Sequence, residues 1–80
     1  MIEIKFEIKF EGNSKRFNGV QIHKDATHAV AGRNFGTYFK LNGEWYFTVF
    51  TCHALKCSFT TQDFDIRDHI RDDAEITELK

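Results

Sequence analysis

Leu41-Asn42-Gly43-Glu44 constrains the geometry of this chain more than any other four residues in it. A two-residue hairpin loop of type I′ needs positive φ at both central positions, and Asn followed by Gly reaches that conformation with the least strain. Such a turn also fixes a register: Lys40 opposite Trp45, Phe39 facing Tyr46, and Tyr38 opposite Phe47. Both arms have strand-like composition, from Thr37 to Leu41 and from Trp45 to Thr51. The second arm shows little polar alternation, which predicts a central strand covered on both faces. A helix is the natural cover.

The remaining elements are read from hydrophobic period. Ile2, Ile4, Phe6, Ile8 and Phe10 alternate with Glu3, Lys5, Glu7 and Lys9, the signature of a strand with one buried and one wet face. A second strand is expected within Lys15 to His23, with Asn18-Gly19 marking a bulge or a second tight turn. Asp25 then serves as N-cap and Gly32 as C-cap glycine of a short helix over Ala26 to Ala31. Lys56 to Thr60 reads as another strand. Beyond Thr61 the period changes, and Phe64, Ile66, Arg67, Ile70 and Ala74 predict a helix over Gln62 to Asp72. Glu75 to Leu79 suits a short terminal strand or a frayed tail. The expected fold is α+β: a single domain over residues 1–80, with a four- to five-stranded antiparallel sheet, a carboxyl-terminal helix packed on one face and a short helix after the second strand. Its expected core is Ile4, Phe6, Ile8, Phe39, Trp45, Phe47, Val49, Phe59, Phe64 and Ile70.

Composition narrows what such a domain does. Nine Phe, two Tyr and one Trp in 80 residues give a short chain enough large apolar surface to fold without staples, so most of the rings are expected inside. The two cysteines, Cys52 and Cys57, and an amino terminus unlike a signal peptide favour a reducing, cytoplasmic setting. No apolar run approaches the ~20 residues of a membrane span. The formal net charge is −1, but acidic residues gather late, as Asp63, Asp65, Asp68, Asp72, Asp73, Glu75 and Glu78, with only Arg67, Arg71 and Lys80 against them. That balance argues against general nucleic-acid affinity, which draws on a basic excess.

Several side-chain groupings bear on chemistry. Cys52, His53 and Cys57, with His69 and either His23 or His28, supply the donor types of a zinc site, but Cys-x4-Cys lacks a paired second arm. The same thiols beside His53 or His69, oriented by Asp65 or Asp68, supply the parts of a nucleophilic centre, with no signal that a cleft holds them. The Gly32-to-Gly36 loop offers amides and Arg33 to an anion, or simply ends a helix. Arg33-Asn34-Phe35-Gly36-Thr37-Tyr38-Phe39 resembles the aromatic RNA-stacking strand of RRM domains, departing from it at the second position and lacking the long preceding helix. That resemblance implies single-stranded nucleic-acid binding through Tyr38, Phe39 and Trp45. The acidic segment supports a different reading. On a helix, Asp65, Asp68 and Asp72 share one face, and with Asp73 and Glu75 they form a surface for a basic protein partner. The expectation is therefore a non-catalytic protein-binding or inhibitor module acting by occlusion, with no cofactor or metal and no membrane partner. Small acidic proteins of this character suit phage or mobile-element inhibitors of host nucleic-acid enzymes; this is an association of type alone.

Overall fold

The computed structural model describes residues 7–33, 36–57 and 65–79. Among these residues eight strands run in chain order: β1 (Glu7–Lys9), β2 (Ser14–Phe17), β3 (Val20–His23), β4 (His28–Ala31), β5 (Thr37–Leu41), β6 (Glu44–Phe50), β7 (His53–Lys56) and β8 (Thr77–Glu78). Six of them form one antiparallel sheet in the order β1-β7-β6-β5-β4-β8, while β2 and β3 form a separate hairpin.

The expected register around Asn42-Gly43 is present: Tyr38 pairs with Phe47, Phe39 with Tyr46 and Lys40 with Trp45. Asn42 and Gly43 have φ of 53° and 82°, as a type I′ turn requires. The Asn18-Gly19 pair makes a second tight turn, with φ of 50° and 81°, and joins β2 to β3 at the Phe17–Val20 pair. Of the first predicted strand, residues 7–10 lie within the described residues and Glu7–Lys9 pairs with β7, Phe10 falling just past its end; Ile4 and Phe6 lie outside them, as do Phe59 and Phe64.

Alternation along the sheet divides its side chains between two covered faces. Ala29, Phe39, Leu41 and Ala54 join Phe10, Ile22, Ala26 and Cys52 in one cluster, against which Ile8, Phe17 and Tyr46 pack. Their sequence neighbours point the other way: Val30, Tyr38 and Trp45 meet Ile66 and Ile70, with Ala74 and Ile76 alongside. The β2–β3 hairpin thus helps close one face, and the segment 65–76 lies over part of the other. The central sheet has cover on both sides, as the weak polar alternation of β6 predicts, but the covers are a hairpin and an irregular strap.

Both predicted helices are absent from the described residues, and the α+β class is corrected to a nearly all-β architecture. Ala26 to Ala31 is not helical; His28–Ala31 is a strand held by β5 on one side and β8 on the other. Two helical turns cannot stand alone, and ladders on both edges supply more hydrogen bonds than so short a helix could. Over the part of Gln62 to Asp72 that is described, one 3-10 turn forms, Ile66–Asp68. Two contacts from Arg33 and one local turn hold the rest of the described segment instead. The Ile70 carbonyl accepts from the Arg33 guanidinium at 3.2 Å, the His69 carbonyl from the Arg33 amide at 3.2 Å, and the Ala74 amide donates to Arg71 O at 2.9 Å. Spacing of four between Ile66 and Ile70 fits a helix face and fits equally a strap that plants an apolar residue at each bend.

The strand expected over Lys56 to Thr60 ends at Lys56 and begins earlier, at His53, because the Thr51-Cys52 turn returns the chain sooner; residues 58–60 lie outside the described ones. Within the predicted core, Phe39 and Ile70 are fully buried, Ile8, Trp45 and Phe47 are half-buried, and Val49 is 39% exposed. The register slips between Thr48 and Phe50, and that bulge takes Val49 out of the alternation that would have buried it.

Candidate functional site

The strap carries the residues singled out as a partner surface. Its apolar anchors, Ile66 and Ile70, are buried, and between and beyond them Asp65, Asp68, Asp72, Asp73 and Glu75 are all exposed. Asp65 also acts locally, since its carboxylate accepts from the Arg67 amide at 3.0 Å and caps the 3-10 turn. The basic residues of the strap are partly engaged, Arg67 donating to the Ala74 carbonyl at 3.3 Å and Arg71 lying 3.5 Å from the Asp73 carboxylate. The common helix face expected for Asp65, Asp68 and Asp72 does not exist, because no helix spans them. The carboxylates instead follow a bent path whose position is set by Arg33 and the two isoleucines.

The thiol and imidazole grouping is split by the sheet. Cys52 belongs to the cluster under the hairpin and donates its S–H to the Gln21 side-chain oxygen at 2.8 Å. Cys57 lies beside Tyr38, in the layer that faces the strap, and its amide donates to Trp45 O at 2.8 Å. Burial pushes the Cys57 thiol up to about 11. A thiol so placed stays protonated at neutral pH, whereas nucleophilic cysteines sit where the thiolate is favoured. His23 accepts from the Asp25 amide at 2.9 Å and His28 lies 3.0 Å from the Thr27 hydroxyl, so each is occupied locally. Among the described residues no three His, Cys, Asp or Glu side chains gather where they could hold a metal ion.

The sheet aromatics do not form one platform. Phe39 turns to the hairpin side and stacks on Tyr46 at 5.5 Å, while Tyr38 turns to the strap side, 4.9 Å from Phe47 and 6.1 Å from the His69 ring. Trp45 packs in the strap cluster with the Lys40 ammonium 5.8 Å from its ring. At the ends of the Gly32-to-Gly36 loop the Gly32 N–H donates to Gly36 O at 3.1 Å, and the Arg33 guanidinium reaches the strap at the Ile70 carbonyl.

Sequence reasoning missed a cleft of about 610 Å³ between the hairpin and the sheet, bordered by Arg16, Val20 and Gln21 on one wall and Thr48, Val49 and Thr51 on the other. It depends on where the hairpin docks, and local pattern carries no signal for that.

Fold and surface together define a small antiparallel β domain, closed on one face by its own hairpin and partly covered on the other by an acidic strap. The chain belongs to the family described as a domain of unknown function, DUF7274, whose model matches residues 7–80. No curated protein and no solved structure matches it. Among the described residues no helix is long and apolar enough to cross a membrane.

Proposed function

We propose that the domain is a non-catalytic protein-binding module whose strap docks against a basic surface of its partner. The observation that carries this reading is the combination of buried anchors and exposed carboxylates on one short segment: Ile66 and Ile70 fix the path, and Asp68, Asp72, Asp73 and Glu75 project charge from it. Charge held in place loses less conformational entropy on docking than charge on a free tail, and complementary fields speed and orient association. An inhibitor acting by occlusion needs nothing more. The type suits a phage or mobile-element inhibitor of a host nucleic-acid enzyme, since such enzymes carry the basic surfaces an acidic strap would fit.

The test leaves Asp65 intact, because it caps the 3-10 turn. Tagged protein and its Asp68→Lys/Asp72→Lys/Asp73→Lys variant are used to capture partners from the native host, with circular dichroism as the check on folding. A basic protein retained by the first and lost by the second, with binding that weakens as salt rises, supports the reading. Identical captures by the two folded proteins overturn it.

A further inference from the structure

We propose that the cleft between the β2–β3 hairpin and the β6 end of the sheet is a binding site for a small organic anion. Its volume of about 610 Å³ falls in the range of small-ligand sites, roughly 300–1,000 Å³. Two of the polar side chains that line it have their oxygens already engaged. Gln21 has its side-chain oxygen occupied twice, by the Ser14 hydroxyl at 3.3 Å and the Cys52 thiol at 2.8 Å, which leaves the amide N–H groups to offer. Thr48 is buried at the sheet wall, and its hydroxyl oxygen already accepts from the Thr37 amide at 3.0 Å, leaving the hydroxyl hydrogen to donate. Arg16 stands directly across the hairpin ladder from Gln21, so the two side chains leave the same face.

Among the described residues that line the cleft there is no carboxylate, and Arg16 brings a fixed positive charge. Donors and a cation without acidic neighbours select an oxyanion. The exposed Val49 adds an apolar part to the wall, which selects an anion with a hydrocarbon body over a bare inorganic one. The bulge that brings Val49 out of the sheet alternation is the same one that places it at this rim. The site is independent of the acidic strap, since it is built from the hairpin and the β6 end.

Titration of the ¹⁵N-labelled full chain with benzoate, phenyl phosphate and inorganic phosphate tests the assignment by amide shifts. Saturable shifts centred on Val20, Gln21, Thr48, Val49 and Thr51 are expected with one or both aromatic anions, tighter than with inorganic phosphate. The tighter of the two identifies carboxylate or phosphate as the acidic group. Arg16→Gln, at an exposed position, should weaken binding at least about tenfold, the scale of one charge-assisted hydrogen bond. Val49→Glu, which brings a carboxylate to the rim, should do the same with the fold intact. Absence of saturable shifts, shifts that map elsewhere, binding unchanged in the folded Arg16→Gln protein, or inorganic phosphate binding as tightly as the aromatic anions would overturn the proposal.

Discussion

Cys57 and Tyr38 show how burial of a neutral acid shapes stability. Desolvation raises both groups, and for Tyr38 the neighbouring Cys57 charge adds to it. The unfolded chain releases the thiol proton near 9.0 and the folded one near about 11, so above the lower value the unfolded state binds fewer protons. The contribution is complete below that point and drains away as pH climbs through the upper one. Melting temperatures followed from pH 7 upward should therefore fall across this window, and Cys57→Ser should flatten the fall, with Tyr38 leaving a residual slope. A backbone constraint of similar weight sits at Gly36, where φ is +99° and an added Cβ would lie 2.6 Å from the Phe47 ring. Gly36→Ala should cost at least about 2 kcal/mol in denaturant unfolding, combining a positive-φ penalty with a displaced ring. Neither constraint is legible in the sequence: Gly36 reads as a loop bracket, and nothing local says that Cys57 ends beside Tyr38.

Elements declare themselves where the signal is local. Asn42-Gly43 carries its own conformational preference, and so the pairing of β5 with β6 follows residue by residue. The strap does not, because part of what holds it is remote: the Arg33 guanidinium, 37 residues from Ile70 in sequence, donates to the Ile70 carbonyl. Arg33→Met should raise hydrogen-exchange rates through residues 66–79 while the β5–β6 amides keep their protection. Ile70→Ala, at a fully buried position, should destabilise by about 2–4 kcal/mol. Equal loosening of sheet and strap in Arg33→Met would mean that the two unfold as one unit. The acidic residues stand out in composition, yet their arrangement escapes it for the same reason that the strap does.

For the molecule as a whole, the rings are shared between two clusters on opposite sides of one sheet, a division that aromatic content alone could not reveal. With no proline in the sequence, refolding has no prolyl isomer to wait for. Double-jump experiments should give the same refolding kinetics after brief and prolonged unfolding, and a slow phase that grows with delay would contradict this. The two tight turns also bear on how the protein ages. Asn followed by Gly is the dipeptide most prone to cyclise, because glycine leaves the next main-chain nitrogen unhindered; closure expels ammonia, and hydrolysis of the ring inserts an extra backbone carbon as isoaspartate. A loop of only Asn42 and Gly43 between paired strands has nowhere to put that carbon. Isoaspartate at Asn42 should therefore loosen the β5–β6 pairing, read as lost amide protection in aged protein whose mass shows the change.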